Sequence, residues 1–159
     1  MKRLIMALAA FFGLSAGAAV ACPTFTLAGV EQYSATGPQL RRPAFFNVVA
    51  GGESYIWDCP GINPRTDRGA GYFTTQPDFS FHLQNMGGLR LVVSVVSECD
   101  AALLINTGAV NWYYDDDDNG NYDPRISLTR PSNGRMDIWI GTYDGAYCNA
   151  QLRMETFAR

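Results

Sequence analysis

Apolar and polar residues alternate along most of the chain after residue 21, the pattern of β-strands that bury one face. The alternation is clearest in residues 79–84 and recurs in residues 135–140 and 151–157. Residues 89–96 are instead apolar almost throughout, which predicts a central strand buried on both faces. No convincing helix pattern follows residue 21, so the sequence predicts strands joined by turns.

Shorter segments carry a weaker form of the same pattern, and turn sequences such as Asn119-Gly120 separate them. Many short strands at this spacing predict an all-β fold, an antiparallel β-sandwich of jelly-roll-like form stabilised by disulfides. The weaker candidate strands are residues 24–30, 45–49, 54–57, 72–75, 101–106, 110–114 and 125–128.

Residues 1–21 have the form of a secretory signal peptide. Lys2 and Arg3 precede an apolar run that ends in Ala19-Val20-Ala21, a small-residue cleavage site. Cleavage there leaves 138 residues, which suits a single β-sandwich domain at residues 22–159 without a transmembrane segment. We therefore expect a periplasmic or secreted protein.

The four cysteines, Cys22, Cys59, Cys99 and Cys148, fit two disulfides in an oxidising compartment. Three pairings are possible, and local order favours Cys22 with Cys59 and Cys99 with Cys148. The rival hypothesis is that Cys22 carries a lipid. That would leave an odd number of thiols, and Ala19 stands where bacterial lipidation signals usually have leucine. The lack of CxxC spacing argues against a metal site built from these cysteines.

Charge narrows the range of partners. Without Lys2 and Arg3 the chain has ten arginines, no lysine and 15 acidic residues, a net charge of −5. Nucleic-acid binding needs clustered positive charge, and the sequence contains no basic run. We therefore expect no nucleic-acid partner.

The second half of the chain contains, in order, LRLVVSVV from Leu89, DAALLIN from Asp100, WYYDDDD from Trp112, DPRISL from Asp123 and GRMDIWIGTY from Gly134. Over residues 89–157 this order resembles that of the bacterial pre-peptidase C-terminal domain family. The resemblance implies a small β-sandwich of the kind attached to secreted proteases and other exported proteins. Some members of that family bind calcium or a polymeric substrate. We expect no catalytic domain beside the resembling segments in this sequence.

The run of four aspartates predicts a possible calcium site. Asp115, Asp117 and Asn119 precede Gly120 at the spacing of the first half of a calcium loop, and Asp123 stands at its ninth position. The twelfth position, where a glutamate closes an EF-hand, is an isoleucine, and the flanking sequence predicts strands rather than helices.

A non-helical calcium loop remains possible, with Asp100 or Asp144 completing it from adjoining loops. The alternative is a solvated hairpin tip whose charges spread into solvent and pair with Arg125.

Catalytic residues are harder to find. His82, the single histidine, could act as a base for a serine nucleophile, but no Gly-x-Ser-x-Gly elbow exists in the chain. Trp139 is the best surface candidate among the aromatic residues, because alternation places it opposite Met136, Ile138 and Ile140, where it could stack on a sugar or peptide. The second face of a sandwich can also be buried, however, and a core position is favoured for it. We therefore expect an exported, non-catalytic binding or structural module that recognises a protein or polysaccharide. The alternative is a secreted hydrolase of protease-related type.

Overall fold

The computed structural model describes residues 21–159, so the predicted signal peptide, apart from Ala21, lies outside the described residues. The described chain is almost entirely β-structure, which confirms the predicted fold class. Short 3₁₀ turns at Gln39–Arg41 and Ile56–Asp58 interrupt it. The strands are β1 (Glu31–Thr36), β2 (Ala44–Ala50), β3 (Ser54–Tyr55), β4 (Tyr72–Phe73), β5 (Phe79–Gln84), β6 (Leu89–Ser97), β7 (Ala101–Asn106), β8 (Trp112–Asp115), β9 (Arg125–Leu128), β10 (Gly134–Thr142) and β11 (Cys148–Ala158).

The strands form two sheets. Sheet B has the order β2-β11-β6-β9, and all of its neighbours are antiparallel. Sheet A is organised around β10, which pairs with β7 on one side, and β7 in turn pairs with β8. On its other side β10 pairs with β5 and, at Thr142, with β4. Strands β1 and β3 extend sheet A beyond β5 and β4 respectively.

The main core lies between the two sheets and contains the residues that alternation points inward. Because side chains on a strand point alternately to its two faces, Phe79, Phe81 and Leu83 all reach this core from β5. β6 is a central strand, and its residues from Leu91 to Val95 are all buried, as its apolar sequence predicts. The other strands contribute Leu103, Ile105, Ile126, Leu128, Met136, Ile138, Ile140, Leu152 and Met154.

A second apolar cluster covers the outer face of sheet A. The irregular segment between β3 and β4 packs onto this face and contributes Ile56, with Ile62 partly buried at its border. Beneath it lie Trp112 and Trp139, whose ring centroids are 5.3 Å apart. The core position favoured for Trp139 is therefore confirmed, because the segment between β3 and β4 covers sheet A at this residue and its side chain is fully buried.

The structure differs from the sequence predictions at the start of the domain. Residues 24–30 form no strand, and β1 follows them instead. Gly29 explains the difference, because a Cβ there would stand 2.4 Å from the backbone of Phe79 and Ser80. The segment therefore packs its backbone tightly on β5 before pairing begins. β1 then pairs with β5 in parallel, an exception to the predicted antiparallel arrangement.

Strand β2 is an edge of sheet B and has no charged residue. Phe45 and Val49 point to solvent from it, with 54% and 57% of their surfaces exposed. Arg41-Arg42-Pro43 immediately precedes the strand.

Candidate binding site

Two disulfides fix the loops at one end of the sandwich. They join Cys22 to Cys59 and Cys99 to Cys148, which confirms the pairing that local order favours. Because the sulfur of Cys22 is bonded to Cys59, it has no thiol left to carry a lipid in this structure. Cys59 follows Asp58 and Cys148 follows Tyr147, and both of these neighbours line one groove.

We call this groove the tyrosine groove and define it by Tyr55, Tyr72 and Tyr147, with Glu53 and Asp58 at its rim. Its volume is about 620 Å³. The rings of Tyr55 and Tyr72 lie 5.0 Å apart, and Tyr147 is 59% exposed. None of the three hydroxyls hydrogen-bonds to another group within residues 21–159. The groove therefore presents aromatic faces and free hydroxyls to solvent.

Glycines allow the tyrosines to sit close to the backbone. Gly51 has a positive φ of 135°, and a Cβ there would lie 2.7 Å from the ring of Tyr147. Gly145 also has a positive φ, and a Cβ there would come within 3.2 Å of the ring of Tyr72. A side chain at Gly51 would displace the Tyr147 ring, so this glycine is part of the groove's construction.

The predicted calcium ligands fold the acidic loop on itself. Asp115 accepts hydrogen bonds from the N–H groups of Asp118 and Arg125, at 3.1 and 2.7 Å. Asp123 is buried and accepts from the N–H and the hydroxyl of Ser97. Asn119 donates its amide to the carbonyl of Val95. Asp117 is exposed, and its carbonyl accepts the N–H of Gly120.

The structure brings a different set of carboxylates together. Oxygens of Asp67, Asp115 and Asp116 lie within 4.8 Å of one another, and this set shares only Asp115 with the predicted one. Burial raises the pKa of Asp115 to about 6, with neighbouring aspartates adding to the increase. Burial also raises the pKa of Asp116, and the charges of Asp117 and Asp67 raise it further. The calcium site stays a prediction, and Asp67 becomes the residue on which to test it.

If calcium binds here, a concentration 100 times its dissociation constant should stabilise the fold by about 2.7 kcal/mol. Thermal unfolding with a chelator and with added calcium measures this difference. Asp67→Asn should abolish it, whereas Asp58→Asn, which removes an exposed charge from the tyrosine groove, should leave it unchanged. Equal melting temperatures of the unaltered protein in chelator and in calcium would exclude the site.

The acidic loop and its surroundings form a surface of unpaired negative charge. Within residues 21–159 the salt bridges join Arg135 to Asp137 and Arg153 to Glu155, so the loop aspartates form none there. Arg90 and Arg125 line a pocket with Asp67, Asp115 and Asp118 but do not pair with them. Burial raises the pKa of Asp100, and the charges of Asp117, Asp116 and Asp144 raise it further. The free energy of this surface would therefore fall if a positive charge approached it.

His82 does not form a catalytic pair. It is exposed in the middle of β5, and its ring hydrogen-bonds to no serine or carboxylate within the described part of the chain. The hydrolase hypothesis built on this histidine as a base therefore lacks both the nucleophile and the orienting group that a triad needs.

The tyrosine groove itself was not predicted, because its residues come from three separate segments. The sequence contains one local signal for it, the segment Tyr143-Asp144-Gly145-Ala146-Tyr147. Its two tyrosines flank a short turn and do not belong to an apolar strand that would bury them. Both side chains are more than half exposed. Exposed aromatics in a polar turn are a recognisable sign of a binding surface.

Residues 21–159 contain no helix long and apolar enough to cross a membrane. The sequence matches no protein-family model and no curated protein, so the resemblance to the pre-peptidase C-terminal domain stays a prediction. Among solved structures, the chain is similar to the crystal structure of Aeromonas hydrophila PliG, a periplasmic lysozyme inhibitor of g-type lysozyme. The two chains share 10% sequence identity at a TM-score of 0.43, over 80% of this chain and 99% of that chain.

Proposed function

We propose that this protein is an exported, non-catalytic module that binds a basic protein partner through the tyrosine groove and the acidic surface beside it. The observation that carries the proposal is the presence of the exposed Tyr147, the half-buried Tyr55 and Tyr72, and unpaired acids beside segments that two disulfides hold. Export is supported by the predicted signal peptide and by these disulfides, which persist in oxidising compartments.

Tyrosines suit a protein interface because they bury a large apolar area and retain a hydroxyl that can hydrogen-bond. Tyrosine, tryptophan and arginine supply most interface hot spots, whereas charged residues around them guide association. Trp57, 55% exposed and two residues from Tyr55, extends the aromatic surface beside the groove. The disulfides reduce the entropy that these loops would lose on binding.

Charge complementarity favours a basic partner. The rim acids Glu53 and Asp58 are exposed and are not paired with an arginine in the described chain. Unpaired negative charge attracts a basic protein and raises its association rate at low ionic strength. A neutral polysaccharide would stack on the same tyrosines and could donate hydroxyl hydrogen bonds to the acids, but it would gain no attraction between net charges. Its binding would therefore depend little on salt.

Tyr147→Ala should weaken binding of a basic partner by about 30-fold, or about 2 kcal/mol, because it removes an exposed interface aromatic. The matched control is Phe45→Ala, which removes a similarly exposed aromatic from the outer edge of sheet B. Binding is measured by biolayer interferometry against basic proteins, including a g-type lysozyme and cytochrome c, and against soluble glycans at low and high salt.

Equal affinities of the Tyr147 and Phe45 variants would refute the groove as the binding site. Salt-independent binding of a glycan with no binding of any basic protein would replace the proposal with polysaccharide recognition.

A further inference from the structure

A second groove of about 460 Å³ opens between the start of β1 and the second half of β2. Valines supply its apolar walls, the buried Phe79 lies at its base, and two carboxylates are its charged groups. Its lining includes Val30, Val48, Val49 and Phe79, with Glu31 and Asp78. We call it the valine groove.

Asp78 directly precedes β5, in the segment between β4 and β5. Both of these strands pair with β10, and the segment between them bulges away from it. The N–H of Asp78 donates to the carbonyl of Ile138 at 2.9 Å, and its Oδ2 accepts the N–H of Ile140 at 2.7 Å. The carboxylate therefore completes the pairing of β10 across the bulge. This structural role uses one carboxylate oxygen, and no other residue within 21–159 donates to the carboxylate, whereas the carbonyl of Asp78 accepts the N–H of Glu31 at 3.0 Å.

The surroundings of Asp78 lack a positive charge. Neither Asp78 nor Glu31 forms a salt bridge in the described chain, and the groove lining contains no arginine. Glu31 instead accepts a hydrogen bond from the hydroxyl of Tyr33. Burial raises the pKa of Asp78 to about 7, against the lowering effect of its backbone hydrogen bonds. A partly buried carboxylate in an apolar groove is destabilised when ionised unless a cation reaches it.

We propose that the valine groove receives a lysine side chain of the partner, with its ammonium at Asp78 and its alkyl stem along Val30, Val48 and Val49. A lysine ammonium suits a single available carboxylate oxygen, whereas the arginine fork is best matched by two. The chain after Arg3 contains no lysine, so another copy of the described chain cannot supply this side chain.

The two grooves are neighbours along the chain. Val49 lines the valine groove and Glu53 the tyrosine groove, and only residues 50–52 separate them along the chain. Thr75 borders the tyrosine groove and Asp78 the valine groove, within the same bulge. The inference rests on the proposed function, since it gives the basic partner an anchoring residue beside the aromatic surface.

The test uses n-pentylammonium as a model of the lysine side chain and 1-pentanol as its uncharged match, followed by NMR titration of the purified, oxidised protein. At about pH 8, pentylammonium should shift the amide signals of Val48, Val49 and Phe79. Pentanol should bind at least about tenfold more weakly, as expected for loss of a charge-assisted contact. Asp78→Asn, which keeps an acceptor for Ile140, should weaken pentylammonium binding by a similar factor, whereas Asp58→Asn should not.

Lowering the pH to about 5.5 should weaken pentylammonium binding at least fivefold as Asp78 takes up a proton. Glu31 is the other titratable residue that lines the groove, and the pH dependence should persist in Glu31→Gln. This comparison needs no substitution at Asp78, so it holds even if that variant fails to fold.

Any of three results would overturn the inference. These are equal affinities for pentanol and pentylammonium, an unchanged affinity of Asp78→Asn for pentylammonium, and a pentylammonium affinity that does not change with pH. Failure here with retained, Tyr147-dependent binding of a basic protein would refute the lysine pocket alone and leave the proposed function standing.

Discussion

Trp139→Ala is expected to lower the free energy of unfolding by about 4 kcal/mol, the cost typical of removing a large buried aromatic. Trp139 is fully buried on the outer face of sheet A, and its indole N–H donates to the carbonyl of Thr75 at 3.4 Å. It also packs on Trp112. Its loss would leave a cavity beneath the segment that carries the tyrosine groove. Urea unfolding followed by far-ultraviolet circular dichroism measures the change.

Trp57→Ala is the matched control, because Trp57 belongs to the covering segment but is 55% exposed. Its substitution should change the stability by about 0.5 kcal/mol, as is usual for surface positions. Similar losses for the two tryptophans would contradict the buried second cluster as a main source of stability.

Removal of the Cys22–Cys59 disulfide by a double substitution to serine should cost about 3 kcal/mol, chiefly by freeing the unfolded chain. In the native state it should also loosen the segment from Tyr55 to Ile62, because Cys59 no longer anchors that segment to the N-terminal residues. We expect faster hydrogen exchange there and weaker partner binding. Mass-spectrometric hydrogen exchange on the folded variant measures the effect.

The comparable variant lacks the Cys99–Cys148 disulfide. The two bridges span 37 and 49 residues, so the entropic costs of their removal should be nearly equal. The exchange patterns should differ, with faster exchange around Cys99 and Tyr147 in the second variant. Identical patterns spread over the whole chain would show that neither bridge acts locally on the groove.

Alternation predicted most strands because the sequence of each strand by itself shows which of its faces is buried. β1 was missed because Glu31–Thr36 is an exposed edge strand with few apolar residues, and its position depends on pairing with distant β5. Its parallel direction follows from the path of the chain across the sheet, for which no local pattern exists. Alternation left the surface and core positions of Trp139 both open, because it shows which residues share a face but not whether a loop covers that face.

The candidate site was only partly predictable for the same reason. The aspartate run gave a local signal, but the convergent carboxylates include Asp67, which is far from the run in sequence. The tyrosine groove combines residues from β3, β4 and the turn before β11. Asp78 sits next to a proline in an unremarkable polar stretch. The role of its carboxylate becomes clear only from the structure, where it accepts the N–H of Ile140 in the gap between β4 and β5.

The uncharged edge strand β2 determines how this protein can associate with other extended chains. An edge without charges presents backbone groups on which a further strand can form by β-augmentation. Arg41-Arg42-Pro43 at the start of β2 acts as a gatekeeper, because like charges repel a second copy and proline has no N–H to donate. The fold thereby limits fibril-like stacking of its own copies while leaving the far end of the strand, near the two grooves, accessible.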